Sequence, residues 1–443
     1  MTTPPATENS GRKSVLERFL SLLSVVHPGE GGSAVLLTLN VFLLLGAYYI
    51  LKVVRDTLIV TQSGAEATSY WTAGQAVLLL FVVPAYGILA SRVNRIRLVS
   101  LATLFFVSHL FVFFALGNAG YQIDVAFYLW LGVFNVFVVA QFWAFANDIY
   151  SEEQGKRLFP IIAVGASLGA WVGSAVIEQL FENLVGPYTA MVIGAVVLVI
   201  CLVPTVWVNQ RETSRQGEAE KAKSEAPLGK EGGFQLVLRD RYLLYIALLI
   251  LVLNLVNTTG GYLLNSLVES TAIQQFGADE EARLAFTGAY FGAFYGWVNL
   301  LGLLLQMFLV SRIFKFLGVR GALFVLPCIA MGGYALLVAF PLLQAVRIVK
   351  IAENSTDYSL MNTIRAALYL PTSREAKYKA KQAIDTFFVR VGDMLQAGVV
   401  FVGVTYLGFE VHNFALVNVL FCAVWIALAV GLYRQHKRIS TEG

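Results

Sequence analysis

Lys52, Arg55 and Asp56 stand inside an apolar stretch, with Tyr48 one turn before them. Spacings of three and four put Tyr48, Lys52, Arg55 and Asp56 broadly on one helical face. Such a face offers fixed cations to an anion and carries its own counter-charge. A second constellation, Arg347, Lys350, Glu353, Asn354 and Asp357 with Arg365 further on, runs along another apolar segment. Here Glu353, Asn354 and Asp357 fall near mid-length. A charged group at the centre of a membrane helix costs about 2.5–3.5 kcal/mol on insertion scales, so a stripe this polar must face water or another charged helix.

Each cluster also has a plainer explanation. Asp56 could neutralise Arg55 while Lys52 snorkels to the interface. Arg390 and Asp393, three apart with Asp385 nearby, read as a structural pair. Asp148 could lock to Lys156 or Arg157 across a short loop, and Glu178 has no obvious partner. Asn135, Gln141 and Asn147 in one segment, and Asn254, Asn257 and Asn265 in another, read mainly as interhelical hydrogen-bonding groups.

The elements that must position these residues are membrane helices. Of 443 residues 57% are apolar and 14% charged, against roughly 45–50% and 25% in an ordinary soluble domain. Apolar runs long enough to cross about 30 Å of hydrocarbon recur along the whole chain. The expected spans are 34–60, 71–90, 98–117, 125–147, 159–180, 187–208, 242–266, 284–310, 321–340, 342–366, 383–406 and 413–433. Lipid leaves an unpaired backbone no partner, so all should be helical.

Basic residues cluster in alternate connections, at Arg92, Arg95 and Arg97, at Lys156 and Arg157, through 211–241, at Arg312, Lys315 and Arg320, at Arg374 to Lys381, and from Arg434 to Arg438. The positive-inside rule then places both termini in the cytoplasm. Residues 211–233, charged and without apolar periodicity, have the composition of a flexible linker. The expected organisation is a tail with an interfacial helix over 1–33, a six-helix bundle over 34–208, a linker over 209–241, a second bundle over 242–433 and a tail over 434–443. A short echo supports pseudo-symmetry: Ser91-Arg92-Val-Asn-Arg95 after the second span parallels Ser311-Arg312-Ile-Phe-Lys315 after the eighth. Gly165, Gly169 and Gly173 in the fifth span, and Gly288, Gly292 and Gly296 in the eighth, form stripes that let helices approach closely. In a major facilitator architecture these two helices would meet across the seam between halves, and ordinary static packing would account for the glycines equally well. The interfacial helix is expected over residues 13–26, with Leu16, Phe19, Leu20, Leu23 and Val26 on its apolar face.

The chain has no GxxxxGK[ST] phosphate loop, no HExxH and no paired Cys or His ligand set. Cys201, Cys328 and Cys422 lie in apolar segments and read as packing residues. No enzyme activity, cofactor or metal is implied. The net charge of +4 comes from basic loops, so nucleic acid is not an expected partner. The N-terminus lacks the pattern of a cleavable signal, and the first span is expected to serve for insertion.

Leu51-Lys52-Val53-Val54-Arg55-Asp56-Thr57-Leu58 resembles the basic-x-x-basic-Asp-x-Leu signature of the ATP/ADP translocases of intracellular bacteria and plastids, with Lys and Arg exchanged. Phe142 to Asp148, then Lys156 to Pro160 and Gly165-Ala166, are similar to the stretch joining that family's fourth and fifth helices. Tyr358-Ser359-Leu360, Arg365, Tyr369-Leu370-Pro371 and Lys377 to Asp385 are similar to the stretch joining its tenth and eleventh. The resemblance implies nucleotide exchange, with Lys52, Arg55 and Arg365 at the phosphate-gripping positions. Ala366 and Thr259-Gly260-Gly261 depart from it where the family tends to carry acidic residues.

The reading is therefore an all-α polytopic membrane protein with about twelve helices in two pseudo-symmetric bundles, working by alternating access. Lys52, Arg55, Lys350, Arg365, Tyr48 and Asn354 would bind a small anionic solute, a nucleotide by the resemblance. Asp56, Asp148, Glu353, Asp357 and Asp385 would serve as counter-charges or coupling groups. A bacterial inner membrane is the expected location, and a monomer accommodates the reading. The rival readings are a proton-coupled carrier of another organic anion or metabolite, and a membrane scaffold that does not transport.

Overall fold

A computed structural model describes residues 14–21, 24–90, 95–150, 152–183, 185–213, 233–373 and 376–442, and among them there is no strand. Most of the 211–233 linker and of the Ser91 to Arg95 echo lies outside the described residues. A short helix, α1 (Val15–Leu20), precedes α2 (Gly31–Gln62), α3 (Ala65–Ala90) and α4 (Arg95–Asn118). Next, α5 (Asp124–Phe134) runs through a π turn at Asn135–Val139 into α6 (Ala140–Ile149), followed by α7 (Glu152–Glu182) and α8 (Pro187–Thr213). The short α9 (Gly233–Arg239) leads to α10 (Arg241–Phe276). Then α11 (Glu280–Leu304) passes through a π turn at Leu305–Leu309 into α12 (Val310–Ala322), and α13 (Val325–Ala339) follows. The tenth crossing is α14 (Leu343–Thr356), a π turn at Asp357–Met361 and α15 (Asn362–Leu368). Two further π turns flank α16 (Lys381–Ala383) before α17 (Val389–Thr405), and α18 (Val411–Glu442) ends the chain.

Among the described residues nine helices are long and apolar enough to cross a membrane. The remaining three expected spans correspond to α3, to α13 at only 15 residues and to the polar α14–α15 pair. Outward faces are apolar: Phe81, Leu101, Phe105, Trp297 and Leu420 are each more than half exposed. That surface suits lipid. Helix starts are set locally, since the Asp240 carboxylate caps α10 by accepting from Tyr242 N and Leu243 N, and Asp279 caps α11 through Ala282 N. Gly64, at φ 88°, makes the tight turn from α2 to α3 that a side chain would resist.

In the packing, α2 lies against α7 and α8 while α10 lies against α17 and α18; α11 bridges to α7 and α2, and α17 to α3. Polar groups register these contacts. Asn40 on α2 donates to Cys201 O at 2.9 Å and to Thr205 on α8, and Asn254 on α10 donates to Asp393 on α17 at 2.7 Å. Arg390 also pairs with Asp393, at 3.0 Å, as the spacing predicts.

The two helices that carry the glycine stripes, α7 and α11, do meet, but only one of the stripes lies between them. Gly165, Gly169 and Gly173 face α2, where a Cβ would fall 2.7, 2.2 and 2.3 Å from the carbonyl oxygens of Thr38, Phe42 and Gly46. Gly288 and Gly292 on α11 instead receive Phe181 and Glu178 of α7. One stripe therefore seats α7 on the first span, and only the other lies at the α7–α11 seam. The helix α7 uses different faces for its two neighbours, which the spacing of glycines does not reveal. Gly169→Val should lower the unfolding temperature in detergent sharply, because overpacking costs about 1–3 kcal/mol even against movable side chains and here the obstacle is backbone. Gly332→Ala, with nothing within 4 Å, should leave it unchanged.

The N-terminal segment also differs from expectation. Its helix ends at Leu20, Val15 and Leu16 are exposed, and Glu17 turns inward to accept from Gly29 N at 2.6 Å and Ser14 N at 2.8 Å. Glu30 is held by Arg157 at 2.9 Å. This strap ties the start of α2 to α7. Amide hydrogen bonds, first that of Ser14, hold the Glu17 carboxyl below its ordinary range. Burial pushes Glu30 up, but the hydrogen bonds and charge of Arg157 outweigh it and leave Glu30 low as well. Both carboxylates therefore contribute stability above about pH 4.3, the ordinary glutamate value, and lose it as pH falls through their lower folded values. Amide-exchange protection factors over residues 14–21 and 24–30 should fall on acidification in that window, before those of α2 do.

Candidate functional site

A cavity of about 280 Å³ opens between α2, α3, α10, α11, α14 and α17, near the lower limit of small-molecule sites. Lys52, Arg55 and Asp56 enter it from α2, Asn257 from α10, Tyr295 from α11 and Lys350, Asn354 and Tyr358 from the tenth crossing. Two separate polar faces of the sequence thus share one cleft. Tyr358 lines it where it is exposed, whereas Ser69 and Gln396 line it where it is buried. That buried part lies beside contacts joining the first and last six spans: Glu269 accepts from Ala65 N at 2.8 Å, and Gln62 donates to Glu280 at 3.2 Å.

The three cations of the cavity differ in what they have left to give. Arg55 directs Nε and Nη2 at one oxygen of Asp56, at 2.8 and 2.7 Å, and lies over the Tyr128 ring at 4.7 Å. The other Asp56 oxygen accepts from Tyr295 OH at 2.7 Å. Lys350 is 1% exposed and gives its three N–H donors to Asn257 O, Asn257 Oδ1 and Glu353 Oε2, at 3.0, 2.9 and 3.0 Å. Tyr334 OH completes Glu353 at 2.5 Å. Lys52 has no carboxylate within ion-pair distance among the described residues. Its Nζ lies 4.1 Å from the Tyr295 ring centroid and 5.0 Å from that of Tyr49. Rings hold the cation in place through cation–π attraction but leave its N–H donors available.

Several expected binding residues therefore take other positions. Lys350 lines the wall but is saturated by Asn257 and Glu353, so it reads as a structural partner rather than a free anion ligand. Tyr48 does not line the cavity; it packs edge-on against Tyr49, whose ring takes the expected place beside Lys52. Arg365 does not line it either. It pairs with Asp385 at 2.6 Å, seven residues past Tyr358, about 10 Å further along the helix axis. Among the described residues the Asp357 carboxylate receives only a long 3.4 Å hydrogen bond, from Asn257. The Asp148 side chain lies outside the described residues. Tyr295, Tyr128 and Gln396 carry no signal in the sequence, because their roles come from helices distant in the chain.

A family model matches residues 32–370, a stretch that runs from the start of α2 to just past α15 and holds every helix bounding this central polar cleft except α17. The chain belongs to the Major Facilitator Superfamily. Among similar proteins is the ADP,ATP carrier protein 1 of Chlamydia muridarum, 24% identical over 85% of this chain and 82% of the relative. The ADP,ATP carrier protein 4 of Rickettsia bellii is 22% identical over 97% and 96%. The resemblance to ATP/ADP translocases read from three stretches of sequence is thus borne out along nearly the whole chain. Among solved structures, a peptide transporter in complex with sulfate superposes with a TM-score of 0.64 at 12% identity, over 96% of this chain and 99% of that one. The chain is a membrane transporter by fold and relatives.

Proposed function

We propose that this major facilitator protein exchanges nucleotides of the ATP/ADP type across a bacterial inner membrane by alternating access. The observation that carries the reading is Lys52, a cation in a shared cleft that is caged by two tyrosines and has no carboxylate within ion-pair distance among the described residues. Phosphate oxygens would receive its N–H donors, with the Arg55 guanidinium one turn away adding bidentate capacity when it turns from Asp56. The ADP,ATP carriers among its relatives support the nucleotide as substrate.

The proposed organisation places bundles at 34–208 and 242–433 on either side of the cleft and both termini in the cytoplasm. In that orientation the joined 62–65 and 269–280 ends face outward and the exposed lining at Tyr358 faces inward, so the molecule is closed to the outside. A single chain contains the cleft, and a monomer suffices. The test is uptake of labelled ATP into vesicles containing the purified protein, loaded with ADP or left empty. Counter-exchange driven by internal ADP supports the reading, and its absence for every nucleotide overturns it. Asp357, a carboxylate held by one long hydrogen bond, favours proton-coupled uptake of another organic anion as the second reading. An imposed pH gradient replacing internal ADP as the driving force would decide for it.

A further inference from the structure

The cavity holds a second set of groups that the anion site leaves unused. Gln396 on α17 is 1% exposed, and its Nε2 donates to Ser69 Oγ at 2.9 Å, yet its Oε1 has no partner among the described residues. Asn354 on α14, 7% exposed, likewise has an unpartnered Oδ1, and the Thr68 hydroxyl on α3 is unpartnered as well. All three residues line the cavity that Lys52 and Arg55 enter. Buried polar atoms are nearly always hydrogen-bonded, so three orphans around one space need an explanation.

Their chemistry is not that of the cations. Two are amide oxygens, which only accept, and the third is a hydroxyl that can do either. Phosphate oxygens cannot satisfy an acceptor, so the charged end of a substrate is the wrong occupant. An amine or hydroxyl on its uncharged end is the right one. The two regions are joined through α3: one turn past Thr68, Thr72 Oγ1 is 2.6 Å from Tyr128 OH, and the Tyr128 ring underlies Arg55. One turn rises about 5.4 Å, so on α3 the orphan hydroxyl sits one turn from the residue that meets the ring beneath Arg55.

We infer that Thr68, Asn354 and Gln396 form a neutral subsite that selects the transported anion by hydrogen-bond donors on its nucleoside portion, either the exocyclic amine of the base or the hydroxyls of the sugar. The inference rests on the nucleotide reading above and deepens it. An analogue lacking the donor leaves buried acceptors unpaired, which is the situation in which polar sites discriminate most strongly.

The experiment is competition against labelled ATP uptake by four probes: ATP, purine riboside triphosphate without the amine, 2′,3′-dideoxyadenosine triphosphate without the hydroxyls, and inorganic tripolyphosphate. In the wild type at least one donor-lacking analogue should compete roughly tenfold or more weakly than ATP, and which one it is identifies the donor. Gln396→Leu should shrink that difference while tripolyphosphate competes as before, showing an intact anion site, and Asn354→Leu should shrink it as well. Asn354→Asp keeps an acceptor and should keep the discrimination. Ser69→Ala breaks the hydrogen bond to Gln396 without removing Oε1, so it separates the acceptor from mere packing and should also keep the discrimination. Equal competition by all three nucleotides in the wild type, or unchanged discrimination in both leucine variants, overturns the subsite alone. Failure of the wild type to take up any nucleotide overturns the nucleotide reading and the subsite with it.

Discussion

Lys52→Ala should lower anion uptake roughly 30- to 4,000-fold while leaving the protein folded. The range follows from the cost of truncating one partner of a desolvated charge pair, about 2–5 kcal/mol, at about 1.4 kcal/mol per tenfold. The Lys52 ammonium lies over the rings of Tyr49 and Tyr295 and has no carboxylate within ion-pair distance among the described residues, so removing it breaks no ion pair. Arg55→Ala is a poorer probe, because it strips Asp56 of a partner at 2.7 Å and confuses lost binding with lost packing. Unchanged uptake in Lys52→Ala, with monodisperse protein by size-exclusion chromatography, would remove the anion site from this cleft. Lys52→Arg should fall between, since it keeps the charge but must fit a planar group between two tyrosines spaced for a compact ammonium.

The second large effect concerns stability. Lys350→Ala leaves Glu353 buried with Tyr334 as its remaining hydrogen-bond donor, and breaking a buried pair from one side costs about 3–5 kcal/mol. The variant should therefore unfold at much lower temperature or fail to insert. The double variant Lys350→Met with Glu353→Leu removes both charges and should recover most of that loss, as replacement of whole buried pairs often does. Thermal unfolding in detergent measures both. If the double variant is stable yet still transports, Lys350 is a wall residue; if the double variant is stable and loses uptake as completely as Lys52→Ala, Lys350 belongs with the anion ligands after all.

Long apolar runs, alternating basic connections and the charges set inside them identify a polytopic helical membrane protein without reference to any tertiary contact, because lipid permits only helices whose backbones are satisfied internally. The spans so read overlap the observed crossings, and the resemblance carried by residues 51–58, 142–166 and 358–385 points to the relatives that match. Local pairing was legible too where partners lie one turn apart, as for Arg390 with Asp393.

Which cation is free was not legible. Lys52 and Lys350 sit in similar apolar surroundings along the chain, and each has an acid three or four residues away. What separates them is contributed by other helices: Asn257 and Tyr334 close around Lys350 and Glu353, while Tyr295 reaches across from α11 to take an oxygen of Asp56 and to cover Lys52 with its ring. The glycine stripe of the fifth span likewise announces a close approach but not that its neighbour is α2. Periodicity in the sequence determines which residues share a helical face, since 3.6 residues per turn is a property of one helix. Only the tertiary structure decides what that face meets, because hydrogen bonds and cation–π contacts act over a few ångströms between segments far apart in the chain.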